Sequence, residues 1–231
     1  EAEPGVRPKT SLPTPGDFLQ VYESLRQQGA EEIVVITISS AMSGTIQSAR
    51  QAAEMLQFPV YFHDSRSNSM SLGWQVIAAA RAREQGGDAQ AMIQAADQAR
   101  QKMVYVISLD TMEYLFSGGR IGGAVSFLGS LLKIKPQITV NHTTGKVEAG
   151  EPARTRARAI EGVFNSFFRK VGQQGKLHVA VLHNAALPEA RELAERVTQA
   201  HHPEELVISI VSPVLGVHTG PRCIALCGYR E

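Results

Sequence analysis

The stretch "EEIVVITISSAMSGTIQSA", residues 31–49, joins an apolar run to a helical pattern through a turn rich in Ser, Thr and Gly. Residues 31–38 predict a strand that is apolar on both faces, and residues 44–56 predict a helix. A strand followed at once by a helix is the basic unit of an α/β sheet. The turn offers backbone N–H groups and short hydroxyls to a carboxylate or a phosphate. The same hydroxyls also suit helix caps, so both interpretations stay open.

The rhythm of helix and strand continues through the first half of the chain. Further helices are predicted over residues 15–28, 72–85 and 89–102, and further strands over residues 59–65 and 103–109. Because these strands are nearly continuous apolar runs, we expect a small doubly wound parallel sheet with helices on both faces. This predicts a first α/β domain over residues 1–109.

The pattern changes after residue 109, where a Gly-rich segment, "LFSGGRIGGAVSFLGSLL", precedes a predicted hairpin, "QITVNHTTGKVEAGEP". Further helices are predicted over residues 157–171 and 188–200, and strands over residues 176–185, 205–211 and around Cys223. Strands joined by a hairpin and by helices predict a mixed sheet with helices on one side. We therefore expect a second α/β domain over residues 110–231.

Composition excludes several function classes. The chain has 23 Lys and Arg against 22 Asp and Glu, and its net charge of +1 argues against a nucleic-acid partner. No apolar segment approaches the roughly 20 residues that span a bilayer, and the first ten residues lack signal-peptide features, so a cytoplasmic location is expected. Cys223 and Cys227 are separated by about 13 Å on a strand, which predicts two buried free thiols rather than a disulfide.

Several short polar segments lie where helices and strands are expected to meet. In open α/β sheets, ligands bind at the carboxyl ends of strands, which is where "ISSAMSGT" is predicted to lie. The segment "SGGRIGG" matches neither G-x-G-x-x-G after a strand nor a P-loop, so it predicts no ATP site. No ligand set of metal-binding spacing surrounds the two cysteines.

Six segments, in order, resemble the DegV family: "KTSLPTPGDF", "ISSAMSGTIQSA", "HDSRSNSMSLG", "YLFSGGRIGG", "LLKIKPQI" and "GVHTGP". The resemblance covers nearly the whole chain. It implies a bacterial two-domain protein that binds one long-chain fatty acid between its domains and needs no cofactor. It also implies a carrier that is not itself an enzyme and presents the fatty-acid carboxylate to an ATP-dependent fatty-acid kinase, which forms the acyl phosphate.

The resemblance also assigns residues to the carboxylate. The positions that match the family's motifs are Thr10 or Ser11, Ser43, Arg120 and His218. Hydroxyls and His can donate to a carboxylate, and Arg offers a charge-assisted fork. Possible additions are Ser40, Gly44 and Arg222. Arg222 stands in "HTGPR", where the family usually has Gly, and could add a cation to the site or face solvent.

Two other functions and one docking surface stay open. A hydrolase with Ser43 as nucleophile and His218 as base is the alternative from another class, although "SAMSGTI" is not a G-x-S-x-G elbow. The other is a lipid storage or transport protein without a kinase partner. For a kinase, the run "ARTRAR" is a candidate docking surface through Arg154, Arg156 and Arg158, or else a solvated helix start.

The sequence also departs from the family at its start. Members usually open with a strand and an Asp-Ser-Thr motif about 50 residues before the Thr-Ser motif, and no such segment precedes Thr10 here. Either the family's first strand and helix are missing from these residues, or the protein is a shortened variant.

Overall fold

The computed structural model describes residues 8–130 and 134–231, which form two compact units. The parallel-sheet unit consists of residues 12–102 and 141–146. The mixed-sheet unit consists of the described residues among 1–11, 103–140 and 147–231. The segment "LLKIKPQI", residues 131–138, lies partly outside the described residues.

The parallel-sheet unit contains every helix and strand that the sequence predicts between residues 15 and 102. These are α1 (Pro15–Gln27), β1 (Ile33–Thr37), α2 (Thr45–Glu54), β2 (Val60–Asp64), α3 (Ser69–Glu84) and α4 (Ala89–Lys102). The start of α1 shows how local sequence sets a boundary. Thr14 Oγ1 accepts from the backbone N–H of Asp17, whose carboxylate accepts from the backbone N–H of Thr14 at 2.7 Å. This reciprocal cap, with Pro15 in the first turn, fixes where the helix begins.

The two strands of this unit run parallel and are covered by helices. β1 pairs with β2 from Ile33 opposite Val60 to Thr37 opposite Asp64. Ile33 and Val35 belong to an apolar cluster with α1 and α2. The alternate residues of β1 point to the other face, and α3 and α4 also pack against this strand. The predicted α/β arrangement is therefore confirmed for this unit.

The mixed-sheet unit is built on six strands. Its elements are β3 (Val104–Ser108), α5 (Glu113–Ser117), a 3₁₀ helix (Gly122–Ser130), β4 (Gln137–Asn141), β5 (Lys146–Ala149), α6 (Arg156–Val171), β6 (Leu177–Asn184), α7 (Leu187–His201), β7 (Glu205–Ile210), α8 (Pro213–Thr219) and β8 (Cys223–Arg230). The strand order is β5-β4-β3-β8-β6-β7. β6 runs parallel to β7, whereas the β3–β4, β3–β8 and β6–β8 pairs are antiparallel. The mixed sheet predicted for this part of the chain is confirmed.

One predicted strand lies in the other sheet. β3 was expected to complete the parallel sheet, but it lies between β4 and β8 in the mixed sheet. That prediction is wrong, because an apolar run indicates burial on both faces but does not specify the strand that pairs with it. In the structure, the boundary between the parallel-sheet unit and the mixed-sheet unit lies before β3, between residues 102 and 103. The sequence placed it between residues 109 and 110.

The core of the mixed-sheet unit lies where α6 and α7 pack on the sheet. Its fully buried side chains include Val163, Phe167, Val179, Val181, Val197, Ile224 and Leu226. Cys223 and Cys227 on β8 are buried and free, as predicted. Burial raises the pKa of the Cys223 thiol to about 12 and also raises that of Cys227, so neither forms a reactive thiolate at neutral pH.

Candidate anion-binding site

A cavity of about 1040 Å³ opens in the mixed-sheet unit beside α5 and α8. Its wall includes residues from the segment before α1, from the Gly-rich segment after α5 and from α8. Three of the residues predicted to bind a carboxylate, Thr10, Arg120 and His218, line this one cavity. Val217 and Pro221 supply apolar surface beside them. The cavity therefore combines polar groups with apolar wall, as small-molecule sites do.

The side chains of Thr10 and His218 are hydrogen-bonded to each other, although 208 positions separate the two residues in the chain. Thr10 Oγ1 lies 3.0 Å from His218 Nε2. Burial, and after it the positive charge of Arg120, lowers the pKa of His218 from its usual 6.5. The ring is therefore neutral at pH 7, and it offers a hydrogen bond rather than a charge.

Positive charge in the cavity comes from Arg120 and Lys9. Arg120 follows two glycines at the end of α5, and its Nη1 donates to the carbonyl of Gly118 at 2.9 Å. Lys9 is exposed at the cavity wall. Two cations beside a hydroxyl and a neutral imidazole favour an anionic ligand.

The position of α8, which carries His218, depends on two residues that the sequence analysis did not select. Asn184, the last residue of β6, donates from Nδ2 to the carbonyl of Gly220 at 2.7 Å. Gly220 ends α8 at φ +69, and a Cβ there would lie 2.3 Å from Cδ2 of Tyr114. Only glycine suits that conformation beside that ring. The motif "HTGP" contains this glycine, but its partner on α5 could not be identified from sequence spacing.

The turn "ISSAMSGT" belongs to the parallel-sheet unit, and its main anionic partner is a residue of the chain. Ser40 donates to Asp64 through its hydroxyl at 2.6 Å and through its backbone N–H at 3.2 Å. Asp64 ends β2, the strand beside β1. The hydroxyl of Ser40 is therefore already used by an internal carboxylate.

The remaining donors of this turn are also largely used within it. The backbone N–H groups of Ala41, Met42 and Ser43 all donate to oxygens of Ser39. Ser43 Oγ lies 2.8 Å from Thr45 Oγ1, and Gly44 is the N-cap of α2. The prediction that these N–H groups are free for a bound anion is wrong, because the turn folds back on itself. A ligand contact by the Ser43 hydroxyl or by Gly44 stays a prediction.

Ser11 and Arg222 lie outside the group that lines the cavity. Ser11 is exposed, and of the two hydroxyls only that of Thr10 belongs to the cavity wall. Arg222 is also exposed, and its Nη2 lies 3.9 Å from a carboxylate oxygen of Glu189. Its charge is therefore directed to an acidic side chain on α7.

The basic run at the start of α6 contains three arginines, of which one is hydrogen-bonded within the protein and two are exposed. Arg156 makes two hydrogen bonds to Glu189, at 2.8 and 2.9 Å, and a third to the carbonyl of Arg222 at 2.7 Å. The bonds from Arg156 lower the pKa of Glu189. Arg156 thus ties α6 to α7, whereas Arg154 and Arg158 are exposed. The docking prediction is retained only for these two.

The arrangement around His218 does not resemble a catalytic triad. Nε2 contacts a Thr hydroxyl, and Nδ1 is buried with no hydrogen-bond partner within residues 8–130 and 134–231. A triad histidine needs an orienting group at its second nitrogen. The hydrolase alternative therefore lacks its third member in the described part of the chain.

The described residues contain neither a membrane-spanning helix nor a cluster of metal-ligating side chains. No helix among them has the length and apolar character to cross a bilayer. No group of three or more His, Cys, Asp or Glu side chains among them could hold a metal ion.

These features define a class of protein: an α/β chain of two units with a cavity suited to a small organic anion. A family model described as "Uncharacterised protein, DegV family" matches residues 2–231. A DegV domain-containing protein of Clostridium acetobutylicum is 36% identical over 234 residues, which cover 99% of this chain and 80% of that protein. The chain belongs to the DegV family.

Solved structures give the same fold. A DegV family protein from Thermus thermophilus, described as binding fatty acid, has a TM-score of 0.90 and 31% identity, covering 97% of this chain and 79% of that one. DegV from Bacillus subtilis, described as a fatty acid binding protein, has a TM-score of 0.85 and 27% identity, with the same coverage of both chains. Relatives of this chain thus bind fatty acids.

Proposed function

We propose that this protein binds one long-chain fatty acid and holds its carboxylate in the cavity of the mixed-sheet unit. The observation that carries the proposal is the Thr10–His218 hydrogen bond at a cavity wall that also contains Arg120 and Lys9. The fatty acids bound by the relatives from Thermus thermophilus and Bacillus subtilis support this class of ligand.

In this proposal the head-group residues have different tasks. The Thr10 hydroxyl donates to a carboxylate oxygen, and Arg120 and Lys9 supply the opposite charge. A hydrogen bond to a charged group contributes about 1.5–3 kcal/mol. Because the ring of His218 is neutral, its task is to bind and orient Thr10.

Most of the affinity comes from the tail of the ligand. Each buried methylene contributes about 0.8 kcal/mol, so a tail of about 16 carbons supplies on the order of 10 kcal/mol before ordering costs. The polar groups add less but determine which end of the molecule lies beside Thr10. A fatty acid held this way needs no cofactor.

The proposal includes presentation of the carboxylate to an ATP-dependent fatty-acid kinase. The sequence has no P-loop, and no kinase-type Gly-rich loop, for holding a triphosphate, so phosphoryl transfer is assigned to a partner. The exposed Arg154 and Arg158 are the docking candidates, since charge at a rim mainly raises association rates. The free thiols of Cys223 and Cys227 support a reducing, cytoplasmic location.

Two measurements test the two parts of this proposal. Titration with a long-chain fatty acid tests binding. Acyl-phosphate formation from ATP and fatty acid, measured with the kinase alone, with this protein alone and with both proteins, tests presentation. We expect saturable one-to-one binding and product only when both proteins are present. Product without the kinase would overturn the carrier function. A kinase that works equally well on free fatty acid would leave only storage or transport.

A further inference from the structure

Gly118, the residue that ends α5, lies against the ring of His218. A Cβ built on Gly118 would be 2.1 Å from His218 Nδ1 and 2.8 Å from Cε1. Real side chains do not approach that closely, so any other residue would displace the ring. The hydrogen that Gly118 carries in place of a side chain therefore points at Nδ1.

The backbone does not explain why residue 118 is glycine. Its φ of −77° and ψ of −8° are right-handed helical values that any L-residue adopts. In helical backbone, alanine is generally more stable than glycine by about 1 kcal/mol. At Gly119, the next residue, the reverse holds. Its φ of +68 favours glycine, whereas nothing lies within 4 Å of a built Cβ. A built Cβ on Gly118 would also lie 3.1 Å from the carbonyl oxygen of Tyr114, a tight contact that a shift of a few tenths of an ångström relieves. The much closer contact with His218 is thus what excludes a side chain at position 118.

The same contact decides which nitrogen of His218 carries the proton. A C–H group directed at a ring nitrogen is weakly attractive if that nitrogen has a free lone pair and repulsive if it carries a hydrogen. Nδ1 is buried and has no hydrogen-bond partner within the described residues, so a proton there would be left without an acceptor. The proton of the neutral ring therefore belongs on Nε2, which faces Thr10 Oγ1.

We infer that Gly118 is a positioning residue, which holds His218 as the Nε2–H tautomer so that Thr10 accepts from the ring and directs its own hydroxyl proton to the ligand. Gly118 also accepts a hydrogen bond from Arg120 through its carbonyl, so one residue orients two of the side chains at the cavity. Donors in such a chain polarise one another, which strengthens the last bond. The tautomer follows from the geometry alone, whereas the effect on the ligand rests on the proposed fatty-acid function.

The first test needs no ligand, and it uses a substitution only to assign a signal. Nitrogen-15 NMR of the histidine rings in the ligand-free protein, with His218→Ala to assign the signal, reports which nitrogen is protonated. We expect Nε2–H for His218 at pH 7. A ring protonated at Nδ1, or one that exchanges between both tautomers, would overturn the inference whether or not the protein binds fatty acid.

The second test is a double-mutant cycle with palmitate as the probe. We expect Gly118→Ala to weaken palmitate binding at least tenfold in the wild-type background and less than twofold in a His218→Ala background, because the alanine then has no ring to displace. Gly119→Ala, which strains the backbone without approaching His218, is the matched control and should change affinity less than twofold in both backgrounds. Equal losses from Gly118→Ala in the two backgrounds would contradict a role through His218. Failure of the wild-type protein to bind palmitate would instead remove the proposed function and leave the tautomer result standing.

Discussion

At the scale of the residue, the proposed head-group contact depends on Thr10. Replacing Thr10 by Val keeps the shape of the side chain but removes its hydroxyl, and we expect fatty-acid affinity to fall roughly tenfold or more, since a hydrogen bond to a charged group is lost. Thr10→Ser keeps the hydroxyl and should stay within a few-fold of wild type. Equilibrium binding of a fluorescent fatty acid measures both. Equal affinity of the Val and Ser variants would remove Thr10 from the site.

The exposed neighbour of Thr10 provides the control. Ser11 carries the same chemical group but is not part of the cavity wall, so Ser11→Ala should leave the affinity unchanged. A loss with Ser11→Ala larger than that with Thr10→Val would reverse the assignment.

Family motifs could predict which residue types form the site but not all of their contacts. They included Thr10, Arg120 and His218, and these do line one cavity. They could not choose between Thr10 and Ser11, because that choice depends on which hydroxyl reaches α8. Gly118 was missed for a similar reason, since the ring that it contacts lies a hundred residues away in the chain.

At the scale of elements, the hairpin between β4 and β5 has a tip that belongs to the parallel-sheet unit. His142 at this tip has Nε2 2.9 Å from Ser71 Oγ on α3, and its carbonyl accepts from Arg100 on α4. Ser39 Oγ donates to the carbonyl of Gly145, also in the tip, at 2.8 Å. Burial, and after it the charge of Arg100, lowers the pKa of His142 to about 4.

This lowered pKa predicts a dependence of stability on pH. The unfolded chain takes up the proton near pH 6.5 and the folded chain only near pH 4, so His142 stabilises the fold above pH 6.5 and this contribution is lost as pH falls towards 4. The loss amounts to about 2–3 kcal/mol. Urea unfolding at pH 7 and pH 4.5 should show a smaller fall for His142→Gln than for wild type. An equal fall in both would contradict this protonation argument.

The two kinds of arginine at the start of α6 provide another prediction at this scale. Arg156→Ala should lower the free energy of unfolding by about 1–3 kcal/mol, because Glu189 then loses two charge-assisted bonds. Arg158→Ala should change it by less than about 0.5 kcal/mol, since this side chain is exposed. If Arg158 docks the kinase, its variant should slow complex formation in stopped-flow measurements. An undiminished rate would remove Arg158 from the docking surface.

The sequence predicted long elements better than short ones. The pattern of apolar residues located α4 and β6 well, because each is long and regular. α5 and α8 were not predicted, since five and seven residues within Gly-rich surroundings are too short to show a helical period. These two short helices nevertheless bring Tyr114 and His218 to the cavity.

At the scale of the whole molecule, the sequence predicted two α/β regions but assigned β3 to the wrong sheet. Sheet membership depends on pairing between strands that are distant in sequence, such as β3 with β8. Local apolar patterning contains no such information. The proposed function is less sensitive to this error, because the cavity is lined by the segment before α1, by residues of α5 and α8 and those beside them, and by the end of β6, rather than by β3.

Native mass spectrometry of the protein, after expression in bacteria and gentle purification, tests the central claim most directly. We predict a complex heavier than the bare chain by the mass of one long-chain fatty acid, which organic solvent releases and whose occupancy falls in Thr10→Val. A nucleotide or a sugar in place of the lipid would contradict the account, as would a chain that stays bare after incubation with excess palmitate.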